Sequence, residues 1–193
     1  MLGLSSNNMS LQVTFPLAGH HNNDSGAVYN GRFENKETQR IRNCINANLL
    51  KLGVKFISDN DNQTLSQVIK SINPGSASVL YEAHLDASVN ASATGTTCVV
   101  SAASFAAKDN SYKMASEICE VTSKLLGIRN RGVISEKQSH RGKLGILHTK
   151  SGVSVLHEWC FISNVNDMKA LDLNLEKVCK EIAIILKKYD DLK

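Results

Sequence analysis

The stretch VLHEWCFISN, residues 155–164, is a run of strand-forming and mostly apolar side chains that holds one carboxylate, Glu158. Burying a carboxylate without a partner costs several kcal/mol, unless the group takes up a proton and becomes neutral. A carboxylate in such a strand therefore needs either a partner or a chemical purpose.

Segments typical of strands and of helices alternate along the chain. Strands are predicted at residues 11–17, 54–58, 77–88, 96–102, 144–148 and 153–161. Helices are predicted at residues 34–52, 64–72, 112–126 and 175–186, mostly because apolar residues recur there at spacings of three and four. The alternation predicts an α/β fold, with a largely parallel, twisted sheet and helices on both faces. With 193 residues, the chain is expected to form a single domain, 1–193.

The composition argues against several classes of partner. The net charge of +4 comes from dispersed basic residues and only 5% of the chain is aromatic, so no nucleic-acid partner is expected. The five cysteines lie far apart and form no CxxC pair, which argues against a disulfide framework and a cysteine zinc site. No segment has the length of a membrane span, and MLGLSSNNMS lacks the basic and apolar regions of a signal peptide. We therefore expect no membrane partner and no export by a signal peptide.

Four side chains that can bind a metal or a proton fall at the ends of predicted elements. His20 follows the first strand, Glu34 opens the first helix and His84 ends the third strand. Glu158 lies at the end of the last strand. Sites in open α/β sheets form beyond the carboxyl ends of strands, so these four residues are expected to converge. Two imidazoles and a carboxylate can hold zinc with one position open, and Glu158 would then be the general base for a zinc-bound water.

Each of these residues also has an ordinary structural explanation. A single histidine at a strand end is more often a surface residue or a satisfied core residue than a ligand. Glu34 at a helix start complements the helix dipole, and Glu158 is open to pairing with a lysine or arginine. The joint placement of all four at element ends favours the metal site.

Three segments resemble the zinc-dependent N-acetylmuramoyl-L-alanine amidases of the type-3 class. The first is GHHNNDSGAVYNGRFE (residues 19–34), where the family has a Gly-His pair, an Asp, a Gly-Ala and a ligand Glu. The second is VLYEAHLDAS (79–88), which is similar to the family's strand ending in a ligand His. The third comprises LGIRNRGV (126–133) and LGILHTKSGVSVLHEWCFISNVNDMKAL (144–171). It is similar to the family's closing region, where a Val-Leu-x-Glu-x-x-Phe-x-Ser-Asn pattern carries the catalytic Glu. The ordered match runs from about residue 13 to about residue 171.

The resemblance implies a phosphorylase/hydrolase-like amidase fold and one zinc ion bound by His20, Glu34 and His84. It assigns the catalytic base to Glu158. The implied partner is bacterial peptidoglycan, and the implied reaction is hydrolysis of the amide between the lactyl group of N-acetylmuramic acid and L-alanine. The chain departs from the family at His21, where a second glycine is usual. His21 is an alternative ligand or an extra polar contact, and it ranks below His20 because His20 directly follows the strand-end glycine.

Three further residues are candidates for the substrate groove or for support of the ligands. Asp86 follows His84 in a turn, and His140 lies in the basic loop before the penultimate strand. His157 is adjacent to Glu158, but the strand period of two turns it to the other face, which favours packing or a supporting role. By the same period, Cys160 is expected on the face of Glu158, which raises the alternative of a cysteine amidase. No cationic neighbour in sequence would activate that thiol, so zinc hydrolysis is preferred.

Two rival functions stay open. A zinc peptidase acting within the stem peptide would use the same ligands, since groove shape decides which amide reaches the metal. A catalytically silent peptidoglycan-binding protein of the same fold is disfavoured, because all four residues are present. With neither a signal peptide nor a separate wall-binding domain expected, we interpret the chain as a phage-type lysin. Such a protein is made in the bacterial cytoplasm and acts on the wall after release.

Overall fold

The structure is a computed structural model that describes residues 13–192, and its centre is one five-stranded sheet. The strands of the sheet are β1 (Thr14–Ala18), β4 (Val79–Asp86), β5 (Thr96–Val100), β6 (Asn130–Ser135) and β7 (Val153–Phe161). Their order across the sheet is β1-β4-β7-β5-β6. All neighbouring pairs are parallel except β5 with β7, which is antiparallel. The predicted α/β fold with a largely parallel sheet is therefore confirmed.

Helices cover both faces of the sheet, but unequally. The long helices α1 (Glu34–Lys51), α3 (Asn110–Leu126) and α4 (Val165–Asp190) pack on one face, which we call the helical face. The other face, called the groove face, carries only the short helix α2 (Leu65–Ser71) and the 3₁₀ turns Glu136–Gln138 and Gly145–His148. A small hairpin of β2 (Val28–Tyr29) and β3 (Arg32–Phe33) precedes α1. The thinner cover leaves part of the groove face open.

Local sequence explains where the helices begin and end. The Thr64 hydroxyl accepts a hydrogen bond from the Gln67 backbone N–H and the Gln67 side chain accepts one from the Thr64 N–H, so a capping box starts α2. The Asp109 side chain caps α3 by accepting the Ser111 N–H, and Gly127 ends that helix with φ 66°. None of the helices among residues 13–192 is long and apolar enough to cross a bilayer.

The first strand lies at an edge of the sheet, as its proline requires. The Thr14 and Ala18 N–H groups point away from β4 and bond to Lys55 O and Asp59 Oδ1. Pro16 lies between them and has no N–H to leave unsatisfied. The strand predicted at 54–58 is reduced to an isolated bridge between Thr14 and Phe56. Residues 11 and 12, the predicted start of the first strand, and the segment MLGLSSNNMS lie outside the described residues.

One other predicted strand was wrong, and one observed strand was not predicted. The segment 144–148 is a 3₁₀ turn and not a strand, and its adjacent residues Ile146 and Leu147 are both buried in the core of the groove face. A helical turn can direct two successive side chains into one core, whereas a strand alternates them. The edge strand β6, by contrast, was not predicted, because its sequence NRGVIS is mostly polar and exposed.

A bulge in β7 changes which side chains share a face. Between the pairs His84–Glu158 and Asp86–Phe161, β4 advances two residues while β7 advances three. The additional residue reverses the alternation, so that Cys160 lies in the core of the helical face. Its thiol lies 3.9 Å from Met168 Sδ, and burial raises its pKa well above the ordinary value. The expectation that Cys160 shares the face of Glu158 was therefore wrong, and the cysteine amidase loses its nucleophile.

Candidate active site

The four candidate catalytic residues come together on the groove face near the carboxyl ends of β1, β4 and β7. His84 and Glu158 are cross-strand partners in the parallel pair of β4 and β7. Both strands continue beyond them, to Asp86 and Phe161. His84 and Glu158 therefore lie within the strands, whereas the sequence prediction placed them at the strand ends. His20 follows β1, and Glu34 is the first residue of α1.

The carboxylate of Glu34 lies between two imidazoles. Its Oε2 is 3.1 Å from His20 Nε2, and its Oε1 is 3.0 Å from His84 Nδ1. One donor atom from each of these residues lies within 4.8 Å of the others. Backbone N–H groups of Ala27 and Leu85 donate to the two oxygens at 2.9 and 3.0 Å. The carboxylate is thus fixed before any metal binds.

The backbone around the cluster allows this close approach. A Cβ at Gly19 would collide with the His84 ring. A Cβ at Gly26 would lie 2.6 Å from Glu34 Oε2 and from the His20 ring. His20 itself has φ 66°, a left-handed conformation that is uncommon outside glycine. His20 is therefore held in a strained loop, and the glycines beside the cluster permit the close approach of its side chains.

Charge at the cluster is strongly coupled. Burial acts to raise the pKa of Glu34, but its hydrogen bonds with His20 and His84 outweigh burial and hold the pKa below the ordinary range. Burial acts to lower the pKa of His84, but the hydrogen bonds to Glu34 and Glu82 raise it well above the ordinary value. The pKa of His20 is raised in the same way, against burial, chiefly by Glu34. The carboxylates thus favour a positive charge, from a proton or a bound cation, on the imidazoles of His20 and His84.

Glu158 is different, because one oxygen has no hydrogen-bond partner. Its Oε2 is buried and accepts nothing from the residues that the structure describes. Burial raises the pKa of Glu158 to about 7; attraction to His84 opposes the rise, and repulsion from Glu34 and Asp86 adds to it. No lysine or arginine in the described chain forms an ion pair with it. A carboxyl group with this pKa can both accept and donate a proton near neutral pH.

The donor set fits zinc. Zinc is bound by imidazole nitrogens and carboxylate oxygens, and three such ligands leave a fourth position for water or substrate. His20, Glu34 and His84 could supply those ligands, since each directs an atom into the same space. Glu158 supplies an uncommitted carboxylate beside them. The arrangement is suited to metal-assisted hydrolysis with a separate base.

The other candidate residues are divided between the two faces of the sheet. His21 and Asp86 line the groove, as does the exposed His140. His21 is outside the donor cluster, and its Nδ1 accepts the Asn23 N–H at 3.3 Å. His157 is fully buried on the other face and bonds to Tyr81 and Thr96, so it does not line the groove, and its position fits the packing role favoured by the strand period.

The groove has a volume of about 1160 Å³ and runs past the cluster along the open part of the sheet. Apolar side chains of the sheet form its floor, including Leu17, Val99 and Leu156. One wall is basic and consists of Arg129, Arg131, His140 and Arg141. The acidic and imidazole side chains of the cluster also line the groove, so its lining carries groups of both charges.

Sequence reasoning missed Glu82. Its Oε2 lies 3.3 Å from His84 Nε2, on the side of the ring away from Glu34. Asp24 has the same relation to His20, with Oδ2 2.9 Å from Nδ1. The period of two in a strand places Glu82 on the face of His84, and this signal was available in the sequence YEAH.

The family model described as N-acetylmuramoyl-L-alanine amidase matches residues 17–187. The catalytic domain of CwlV from Bacillus (Paenibacillus) polymyxa var. colistinus is similar, with TM-score 0.75 and 18% identity over 94% of this chain and 99% of that one. An N-acetylmuramoyl-L-alanine amidase from Clostridium difficile 630 gives TM-score 0.74 at 19% identity over 94% and 98%. The catalytic domain of the CD27L endolysin, which targets Clostridia difficile, gives 0.68 at 19% over 91% and 97%. No curated protein sequence matches the chain. The structural likeness establishes the fold.

Proposed function

The chain belongs to the N-acetylmuramoyl-L-alanine amidase family, and we propose that it is a zinc-dependent member with Glu158 as its catalytic base. Enzymes of this family hydrolyse the amide that joins N-acetylmuramic acid to L-alanine in peptidoglycan. His20, Glu34 and His84 would hold the single zinc ion, which supplies an activated water and a Lewis acid for the scissile carbonyl when bound.

The proton transfers are assigned to Glu158. Its free Oε2 would take a proton from the attacking water and later deliver it to the nitrogen of L-alanine. An amine anion is a very poor leaving group, so hydrolysis requires this second transfer. Burial raises the pKa of Glu158, which makes its carboxylate a stronger base for the first of these transfers.

The observation that carries the proposal is the contrast between satisfied and unsatisfied carboxylates. Glu34 has both oxygens fixed by backbone N–H groups and by two imidazoles, as a ligand requires. Glu158 stands beside the same cluster with Oε2 buried and unpartnered among the described residues. A buried polar atom without a partner is costly, and a substrate or water hydrogen bond would remove that cost.

The groove supports a peptide-bearing sugar substrate. Its apolar floor can accept the methyl groups of lactate and alanine, while the basic wall faces the carboxylates of a stem peptide. We propose that Arg131 and His140 contribute to that contact, because both line the groove. Burial raises the pKa of Asp86, and the nearby Arg131 and His140 oppose that rise. The rival zinc peptidase would bind the stem peptide against the same basic residues, but shifted along the groove so that a bond within the peptide lies at the metal.

Product analysis of digested sacculi tests the proposal. The amidase is expected to release a new amino terminus of L-alanine together with peptide-free muramic acid. Any other new terminus would favour the peptidase, and the absence of products from zinc-loaded protein that still binds sacculi would favour the silent binder. Removal of metal with a chelator should abolish release, and zinc alone should restore it.

We further propose that the protein is a phage-type lysin, synthesised in a bacterial cytoplasm and active on the wall after release. The support is the fold shared with the catalytic domain of the CD27L endolysin. Expression inside bacteria, with and without a co-expressed membrane pore protein, tests the role. Lysis is expected only when the pore is present; lysis without it would contradict the dependence on a separate release route.

A further inference from the structure

Glu82 is a buried carboxylate that the amidase mechanism does not use. It lies on β4 with 6% of its surface exposed, and its cross-strand partners on either side are Leu17 and Leu156. A charged group in such an apolar row is expensive unless it is paired. Among the described residues, its ion-pair partner is His84.

The geometry of the His84 ring separates Glu82 from the metal ligands. Nδ1 lies 3.0 Å from Glu34 Oε1, whereas Nε2 lies 3.3 Å from Glu82 Oε2. The two nitrogens of an imidazole point in different directions, so Glu82 contacts the ring from behind the donor cluster. It is accordingly absent from the cluster of donor atoms formed by His20, Glu34 and His84.

We propose that Glu82 is a positioning residue for the metal ligand His84, an inference that rests on the zinc site proposed above. Its carboxylate accepts the Nε2–H of the ring, which leaves the Nδ1 lone pair free and directed into the donor cluster. A carboxylate behind a ligating histidine fixes the tautomer and makes the ligand nitrogen more basic.

The second histidine provides an internal comparison. His20 has its Nε2 in the cluster and its Nδ1 2.9 Å from Asp24 Oδ2. Both histidines thus have a carboxylate on the outer nitrogen, although opposite nitrogens face the cluster. The Asp24 side chain is 52% exposed and that of Glu82 is 7% exposed. Solvent screens the exposed carboxylate more, so Glu82 is expected to have the larger influence on the metal.

Stability alone gives no reason for a carboxylate at this position. Removal of one member of a buried ion pair is costly because it leaves the other charge without a partner; where no charge is left unpaired, apolar replacement is often neutral or stabilising. His84 keeps Glu34, and the floor around Glu82 is already apolar. If Glu82 had a purely structural role, an apolar substitution should destabilise the fold. If Glu82 positions His84, the same substitution should weaken zinc binding without destabilising the fold.

The test is zinc affinity, measured by competition with a chromophoric chelator. Glu82→Gln keeps an acceptor but removes the charge, and we expect zinc to bind about tenfold more weakly. Glu82→Leu removes the acceptor as well, and the loss is expected to approach about 100-fold. The denaturant midpoint of zinc-free Glu82→Leu should not fall below that of wild type. Zinc affinity equal to wild type in both variants would overturn the proposal.

A matched control is available in the same chain. Glu136 is also a buried carboxylate bonded to a histidine, with Oε2 2.9 Å from His148 Nε2 and 4% of its side chain exposed. Neither residue belongs to the donor cluster, so Glu136→Gln should leave zinc affinity unchanged. An equal loss in Glu136→Gln and Glu82→Gln would mean that any buried charge change weakens the site, and the specific role of Glu82 would be rejected.

A second measurement uses the wild-type protein and so does not depend on the folding of a variant. Long-range proton–nitrogen correlation spectra of the zinc-loaded, isotope-labelled protein identify which nitrogen of each histidine carries a proton. His84 is expected to carry it on Nε2 and His20 on Nδ1. A His84 ring with its proton on Nδ1 would refute the proposal. If the wild-type protein binds no zinc, the proposed zinc-dependent function is wrong. If the wild-type protein binds zinc and the Glu82 variants bind it with equal affinity, only the proposal for Glu82 is wrong.

Discussion

His84 and His157 are neighbours on adjacent strands, yet they have opposite chemistry. His157 is the register partner of Ala83, one residue before His84, and its side chain emerges on the helical face. Burial lowers the pKa of His157 to about 3, whereas the carboxylates of Glu34 and Glu82 keep the pKa of His84 well above its ordinary value. The helical face therefore favours a neutral imidazole, whereas the carboxylates of the groove face favour a proton or a cation on His84.

The partners of the two rings explain the difference. His157 Nδ1 is 2.9 Å from the Tyr81 hydroxyl, and Nε2 is 2.8 Å from the Thr96 hydroxyl. Trp159 stacks on the ring and donates its indole N–H to the same tyrosine. These neutral partners satisfy the imidazole without charge. The role of a histidine in this sheet is therefore set by the face it occupies, since its neighbours on that face decide its protonation.

The largest effect is expected from His84→Ala. Loss of one of three ligands should remove nearly all bound zinc and with it the hydrolysis of sacculi. Metal content by mass spectrometry and release of peptide-free muramic acid check both parts. Full zinc occupancy in this variant would mean that the ligand assignment is wrong. The two faces could then no longer be distinguished by the metal-binding role of His84.

Glu158→Gln is expected to separate binding from chemistry on the groove face. The amide is nearly isosteric but cannot take the water proton, so turnover should fall by about 10³-fold. Zinc content should stay near that of wild type, since Glu158 is outside the donor cluster. A variant with near-normal turnover would remove Glu158 from the mechanism.

His157→Ala should act on stability and spare the metal. The substitution leaves a cavity beside Trp159 and two hydroxyl groups without their partner, which together cost about 3 kcal/mol. Urea denaturation measures the loss, and zinc content of the folded protein should be unchanged. Loss of zinc at constant stability would contradict the separation of the two faces.

The smallest effect is expected from Cys160→Ala. The thiol is fully buried among helical-face residues, and its loss should cost about 1 kcal/mol of stability. Hydrolysis should stay within about twofold of wild type, because no step of the reaction uses this side chain. Abolished hydrolysis in a folded, zinc-loaded variant would restore the cysteine amidase as an explanation.

Most helices were predictable because their signals are local, although only residues 175–186 of α4 (Val165–Asp190) were predicted. Helix α1 was predicted at 34–52 and observed at Glu34–Lys51, since apolar spacing and a following glycine are read within a few residues. The positions of His20 after the first strand and of Glu34 at the start of the first helix were predictable for the same reason. The exact ends of β4 and β7 were less predictable, because a strand continues as far as its partner pairs with it.

The sequence by itself determined the α/β class, the main helices and the identities of the four side chains grouped at the candidate site. The tertiary structure alone decided the antiparallel insertion of β5 against β7, the bulge that sends Cys160 to the helical face, and the contact of Glu82 with His84. The reason is physical: a helix depends on residues three and four apart, whereas register, bulges and buried ion pairs depend on chain segments that meet only when the sheet assembles.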